Sequence, residues 1–357
     1  MEIALSFNMS VTDRSGASEA RRQAESVAAS LGFSKSDIGS IAIIVTEAAK
    51  NLAKYGTKGE LFFQTLESEG RFGIEMIALD RGPGMGNPAA CMQDGFSTGG
   101  SPGTGLGAIR RISTIFDVFS RPGAGTAILS RFWPKASLRP PPDVRWEIGA
   151  LCVPKPSETV PGDGCAWKEA NHALCILVTD GLGHGPLAES ASLEAIKAFH
   201  THAHLRPAEI LKVIHDALRS TRGAAVALAQ VDLKDRIVRF AGVGNISGVL
   251  IGPSGSRNMV SHNGTVGSEV RKIQEFEYPW FEDATLLMCS DGISTRWSLD
   301  TYPGLIKRHP SLVAGVLYRD YGRGTDDSTV VVVRQAEGWR VSGKAEPEKT
   351  GGPGIKQ

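Results

Sequence analysis

No stretch of this sequence is both long enough and apolar enough to span a bilayer as a helix. The N-terminus, MEIALSFNMSVTDRSG, lacks the basic segment and long apolar run of a secretory leader. Charge is almost balanced, with 39 Lys and Arg against 38 Asp and Glu for a net +1. That balance excludes a broad field for nucleic acid or an anionic membrane. Six tryptophans show no spacing that would stack bases. Cysteine is scarce: Cys91, Cys152, Cys165, Cys175 and Cys289 are dispersed, odd in number and without CxxC or zinc-ligand spacing. A disulfide framework and a structural zinc are thereby excluded, and reduced thiols are expected. The histidine tract HTHAH (200–204) sets His200 and His204 on one helical face but has no third ligand nearby, so it reads as a solvated helix end. The expectation is a soluble cytoplasmic protein with neither a nucleic-acid nor a membrane partner.

Proline and glycine are plentiful, and they divide the chain. The length of 357 residues is generous for one domain. PKASLRPPPDVR (134–145) contains four prolines, which favour extended chain and cannot donate backbone hydrogen bonds. It predicts a linker between a first domain, 1–133, and a second, 146–335. The tail, 336–357, is rich in Gly, Pro, Lys and Glu and is expected to be disordered. In the first part, helical spacing covers 17–32 and 37–55, the latter with Ile41, Ile44, Val45, Ala48 and Leu52 on one stripe and Gly56 as its stop. Strands are predicted at 60–66, 72–80 and 125–133, and a helix from Gly105. This pattern predicts an α/β sandwich with one mostly antiparallel sheet and helices on one face. In the second part, apolar runs at 146–153, 173–179, 223–231, 236–243, 284–290 and 328–334 read as strands, interrupted by only two long helical stretches, 186–203 and 207–220. Packed sheets with flanking helices are expected.

Each part carries its own set of acids and glycines. In TEAAKNLAKYG (46–56), Glu47 and Asn51 are four apart and share a helical face away from the apolar stripe. A carboxylate there can orient or deprotonate a nucleophile, and an amide oxygen suits Mg²⁺ bridging phosphates. Asp80 closes a strand and opens DRGPGM, where it can accept from an exocyclic amine while Gly82 and Gly84 admit a close ligand. GTGLG (103–107) precedes a helix, so its free N–H groups can hold phosphate oxygens. Taken singly, a helical Glu/Asn pair is ordinary surface and DxGxG an ordinary turn; the ordered triple is the signal. In the second part, GDG (162–164), VTDGLGHG (178–185), CSDG (289–292) and TDDST (325–329) place Asp163, Asp180, Asp291 and Asp326 at strand ends or glycine turns. Asp–Gly pairs are common turn signals. Here, however, several buried strands each deliver an acid to an edge, which is the arrangement two hard cations require. Gly181 can add its carbonyl. Asp327 reads as a support for Asp326, and His184 as either a donor behind the ligands or a turn-packing residue.

The first set resembles the GHKL ATPase/kinase superfamily, and within it the anti-sigma-factor serine kinases of the RsbW and RsbT type. TEAAKNLAKYG looks like their N box, DRGPGM like the first glycine box, and GTGLGAIRRISTIFDVFSRPGAGT (103–126) like the second box and its sequel, closest to the RsbT branch. The second set, with AGVGN (241–245) between DGLGHG and SDG, resembles the SpoIIE/RsbX branch of the metal-dependent PPM phosphatases. The resemblance implies an α+β chain: a GHKL-type α/β sandwich followed by a PPM-type α-β-β-α sandwich. It implies Glu47 as general base, Asn51 as Mg²⁺ ligand, Asp80 as adenine reader, and Gly103, Thr104, Gly105, Leu106 and Gly107 along the phosphates of ATP. It implies Asp180 as bridging ligand of two Mn²⁺ or Mg²⁺ ions, with Asp291 and Asp326 on one ion and Asp163 nearby. GDGCAW puts Ala166 where many relatives carry a second acid, which leaves the number of ions open. The implied partner is a STAS-domain protein of a sigma-factor or stress pathway. The function expected first is a kinase and phosphatase in one chain. The alternatives are a phosphatase regulated by a non-catalytic nucleotide domain, and a module that sequesters its partner stoichiometrically.

Overall fold

The computed structural model describes residues 2–92, 105–134 and 145–336. Gly103 and Thr104, most of the proline-rich linker and the tail after Ala336 lie outside the described residues.

The N-terminal lobe runs β1 (Glu2–Ser10), α1 (Arg14–Ser30), α2 (Lys35–Tyr55), β2 (Glu60–Ser68), β3 (Arg71–Asp80), α3 (Pro88–Cys91), α4 (Gly105–Ile112), β4 (Ile115–Ser120) and β5 (Thr126–Phe132). Helix α1 starts where Asp13 accepts from the N–H groups of Ser15 and Gly16, satisfying donors the helix itself cannot. It is held by small side chains: Ala17, Ala20, Ala24 and Ala28 recur at three- and four-residue spacing and are buried. Ser34 caps α2 in the same way, accepting from Asp37. The five strands pair antiparallel in the order β1-β2-β3-β5-β4. One face packs under α1, α2 and α4 through Ile41, Val45, Ala48, Phe63, Met76 and Ile109 among others.

The C-terminal lobe runs β6 (Trp146–Val153), β7 (Asp163–Ala170), β8 (Ala173–Gly181), α5 (Pro186–His202), α6 (Pro207–Ala217), β9 (Ala224–Asp232), β10 (Ile237–Val243), β11 (Ser247–Gly252), β12 (Gly255–Asn258), β13 (Phe276–Pro279), β14 (Thr285–Cys289), α7 (Pro310–Tyr321) and β15 (Ser328–Gln335). It forms two five-stranded sheets, β13-β10-β9-β8-β7 and β12-β11-β14-β15-β6. Side chains alternate across each strand. Val331 and Val333 thus face Ile176, Ala229 and Phe240 in the sandwich core, while Val330 and Val332 face outward onto α7. The outer face of the other sheet is covered by α5 and α6.

Helix α7 corrects the expectation of only two long helices in this part. It sits between the two lobes, packed on β6 and β15 on one side and on β3 and β5 of the first sheet on the other. Phe62, Ile77, Leu79 and Leu129 share one core with Leu312, Val316, Val330 and Val332. The first sheet therefore has its second face buried as well. Two glycines permit the approach: a Cβ on Gly149 would lie 2.1 Å from the Ser311 nitrogen, and one on Gly315 would lie 3.1 Å from Leu79. At the centre of this seam the Glu75 carboxylate accepts from Arg131 (2.5 Å), Gln64 (2.7 Å) and Ser311 (2.8 Å). Arg131 also donates to the Ile148 carbonyl, 2.8 Å, and Gln64 to that of Ala150, 3.1 Å. Asp117 of β4 accepts from the His309 amide at 2.8 Å.

Helix α5 ends at His202, so His204 lies beyond it and does not share a helical face with His200. The five cysteines are free. No helix among the described residues is long and apolar enough to cross a membrane.

Candidate active sites

The first constellation forms where α2, the end of β3 and the start of α4 meet. Glu47 and Asn51 lie on one face of α2, and Gly105 is set against both. A Cβ on Gly105 would stand 2.9 Å from Glu47 Oε2 and 3.8 Å from Asn51 Oδ1. Only glycine leaves that space for a ligand without moving the carboxylate. Lys50 Nζ holds the other Glu47 oxygen at 2.9 Å. Asp80 is half-buried at the exit of β3, and its Oδ1 accepts from the Gly82 N–H at 2.7 Å. Burial pushes the Asp80 carboxyl above its usual range; the Gly82 N–H and the Arg319 charge pull it back. Gly84 has φ +68° and meets the Arg121 carbonyl where a side chain would stand. Leu106 and Gly107 follow Gly105 in the first turn of α4.

The second constellation lies at one end of the β-sandwich. Asp163 opens β7 and Asp180 is the next-to-last residue of β8, directly opposite it in register. Asp291 follows β14 and Asp326 precedes β15, so two strands of the facing sheet deliver acids to the same end. Burial raises the Asp180 carboxyl to about 7, reinforced by the charges of Asp291, Asp326 and Asp327 and offset by the Asn245 amide. Asp163 is also raised, by burial first and then by Asp180. Its Oδ2 is buried and has no hydrogen-bond partner. Asn245 Nδ2 donates to Asp291 at 2.7 Å. Asp327 differs: its two oxygens accept from the Lys155 and Gly162 amides, at 2.8 and 2.9 Å, so it clamps backbone. At the rim, His184 Nδ1 and Glu158 Oε1 are 2.6 Å apart.

These carboxylates repel one another, and among the described residues no three His, Cys, Asp or Glu side chains stand close enough together to hold a metal ion as they are placed. A buried oxygen without a donor and several uncompensated acids, all hard donors, fit divalent cations of the Mg²⁺ and Mn²⁺ kind.

The two constellations are joined through α7. Arg319, 5 % exposed, donates Nη1 to the Asp80 carbonyl at 2.9 Å and pairs with Asp320. Arg81 in turn donates to the Arg319 carbonyl. One turn further on, the Ser294 amide donates to the Tyr321 carbonyl and the Arg323 amide to that of Gly292, both at 2.9 Å. Gly292 is the neighbour of Asp291. A cleft of about 410 Å³, lined by Arg81, Arg121, Tyr302, Asp320 and Tyr321, opens on this seam and contains none of the predicted site residues. Sequence reading missed Arg319, Asn245 and Glu158. Asn245 ends the AGVGN motif and so carried a signal; the other two sit in segments with no motif.

Residues 11–131 match the histidine kinase-like ATPase domain family. Over 114 residues the chain is 36% identical to the serine/threonine-protein kinase RsbT of Bacillus subtilis (strain 168), covering 32% of this chain and 86% of that protein. The chain belongs to the RsbT-like kinase family. Beyond the RsbT-like part, residues 170–336 match the stage II sporulation protein E (SpoIIE) family. The phosphoserine phosphatase RsbX of the same organism is 23% identical over 141 residues, 39% of this chain and 71% of RsbX. The chain thus carries an N-terminal RsbT-like ATPase domain and a C-terminal SpoIIE/RsbX-like phosphatase domain. A solved chain from work on the bacterial stressosome, described as a modular system adapted to control secondary messenger signalling, superposes with a TM-score of 0.51. It is 27% identical, and the match covers 53% of this chain and all of that one.

Proposed function

We propose that this protein both adds and removes a phosphoryl group on one partner. With ATP it phosphorylates a serine or threonine of a STAS-domain protein, and it hydrolyses the resulting phosphoprotein at a second site. The observation that supports this reading is that distant segments contribute to two separate donor sets: Gly105 leaves room beside Glu47 and Asn51, and the charges of Asp291 and Asp326 bear on Asp180 across from Asp163.

At the first site Glu47 takes the proton from the attacking hydroxyl, Asn51 offers its amide oxygen to Mg²⁺, and Asp80 accepts from the adenine amine. The segment Gly103, Thr104, Gly105, Leu106 and Gly107 supplies N–H groups to the phosphates. At the second, Asp180, Asp291, Asp326, Asp163 and the Gly181 carbonyl would hold the divalent ions. When bound, the ions supply a hydroxide nucleophile and neutralise charge on the phosphoryl group. Asn245 keeps Asp291 oriented, and the Asp327 clamp fixes the Gly162 turn beside Asp163. The test is incubation with γ-labelled ATP and the cognate STAS protein, first with Mg²⁺ and then with Mn²⁺. Label transfer followed by release is expected. Absence of both ends the reading.

A second reading, a phosphatase set by nucleotide occupancy without turnover, is favoured by the Asp80–Arg319–Tyr321–Ser294 connection. Anything that displaces the Asp80 backbone strains the turn that carries Asp291. In that case a non-hydrolysable ATP analogue changes the rate of phosphate release in the native chain but not in Arg319→Ala. Glu47→Ala, still binding ATP, then leaves partner phosphorylation unchanged.

A further inference from the structure

Large apolar side chains are rarely exposed in this protein, but two stand at the mouth of the acid site: Leu182, 54 % exposed, and Leu187, 58 %. Leu182 follows Gly181 in the DGLGHG loop, and Leu187 is the second residue of α5. A Cβ on Gly181 would lie 2.2 Å from the Ala188 carbonyl oxygen, so loop and helix touch there and the two leucines emerge from one corner. The Leu182 amide donates to the Gly223 carbonyl at 2.9 Å, which brings the β9 lead-in to the same corner. That lead-in carries Arg222. Its Nη1 is 3.0 Å from where a Cβ on Gly183 would stand. The turn is pinned, with Thr221 Oγ1 donating to Leu218 at 2.7 Å and accepting from Gly223 at 3.0 Å. Arg222 makes no hydrogen bond or ion pair among the described residues, although the loop it meets at Gly183 also carries Asp180.

A guanidinium left unneutralised by its own protein is complementary to a phosphate dianion, which it grips through two N–H groups. Apolar side chains exposed beside it have no part in binding a small phosphoester, but they suit a polypeptide. We propose that Arg222, Leu182 and Leu187 form a substrate rim: Arg222 takes the phosphoryl oxygens, and the leucines take an apolar side chain next to the phosphorylated residue. This rests on the phosphatase reading and narrows its substrate to a phosphorylated protein segment with an apolar neighbour.

The test uses the full chain with Mn²⁺ and three substrates: p-nitrophenyl phosphate, a phosphoserine decapeptide flanked by leucines, and its serine-flanked counterpart. The native chain is expected to prefer the leucine-flanked peptide by about tenfold, the size of an apolar pocket's discrimination. Leu182→Ser/Leu187→Ser should erase that preference through KM, leaving p-nitrophenyl phosphate turnover within about twofold. Arg222→Ala should raise KM for all three and weaken inhibition by inorganic phosphate about tenfold or more, with Arg222→Lys intermediate. Equal use of both peptides by the native chain overturns the leucine assignment, and an unchanged phosphate inhibition constant in Arg222→Ala overturns the arginine one. Hydrolysis of none of the three by the native chain sinks the phosphatase reading instead. Calorimetric titration with inorganic phosphate then still decides Arg222, because equal affinity in native and Arg222→Ala chains rejects it.

Discussion

The molecule buries charge in two places, and the two are built on opposite plans. At the seam, Glu75 is 0 % exposed and Arg131 4 %, and both are saturated by each other, Gln64, Ser311 and backbone carbonyls. At the end of the sandwich, Asp163 is 5 % exposed with one oxygen unpaired. Its nearest charges are other acids. Buried charge costs several kcal/mol unless paired. A cluster that pairs internally serves as attachment. One that does not is waiting for charge from outside, and such clusters are where function collects.

That contrast yields its largest predicted effects at the chemistry. Asp180→Asn should abolish phosphate release while leaving phosphate transfer intact. Glu47→Ala should lower transfer on the order of 10²–10⁴-fold and leave release intact. A single substitution that removed both activities would show that the two sets do not act separately. Label transfer and release measured on one partner preparation decide it.

The seam should fail in a different way. Arg131→Met strands Glu75 as an unpaired buried charge and is expected to cost about 3–5 kcal/mol of stability. Replacing both, as Glu75→Leu/Arg131→Met, should recover most of that loss, because the desolvation cost disappears with the pair. Denaturant unfolding of the three chains tests this. A double variant no better than the single one would mean that the pair does more than compensate itself.

The two clusters should also respond to pH with opposite signs. The Asp180 carboxyl is raised from 3.8 to about 7, so its contribution to stability is present below 3.8 and lost as pH rises through about 7. His309 at the seam is driven well below 6.5 by burial and then by Arg131 and Arg334. The unfolded chain binds that proton and the folded one does not, so stability falls as pH drops below 6.5. Metal-free protein should therefore soften at both ends, and Mn²⁺ should restore only the alkaline side, since ions replace the proton on Asp180. Thermal melts across pH 5 to 8 with and without Mn²⁺ test this; equal rescue on both sides contradicts it.

The same contrast explains what was legible in the sequence. Strands β3, β5, β6, β8, β9, β14 and β15 are apolar runs, and each was visible within a residue or two. Helix α7 was not. Pro310 to Leu317 are buried without interruption because sheets flank the helix on both sides, so no polar stripe marks a 3.6-residue period, and Gly315 weakens the pattern further. Strand β7 and the shorter β11 to β13 carry Gly, Ser, Arg or Glu and hold no apolar run longer than three residues. The acid cluster was legible because Asp–Gly turns at strand ends are local signals. The seam was not: Glu75 and Arg131 meet only through the β3–β5 register, and Ser311 arrives from far along the chain. Motifs written within a few residues can be read from the sequence, whereas compensation across sheets requires the fold.

The smallest effect probes the space in front of Glu47. Gly105→Ala adds a Cβ 2.9 Å from Glu47 Oε2. The clash is with the far end of a flexible side chain, so the carboxylate swings away at little cost. Alanine at the start of α4 even favours the helix by up to about 1 kcal/mol. Stability should therefore hold or rise slightly. Transfer should fall all the same, by about tenfold, because a base displaced by an ångström no longer meets the hydroxyl it must deprotonate. Phosphate release, whose acids lie on the far side of α7, should not change. A Gly105→Ala chain that transfers phosphate at the native rate would mean that the Glu47 carboxylate is not positioned by this contact, and that the nucleotide pocket, unlike the acid cluster, does not depend on where its charge is held.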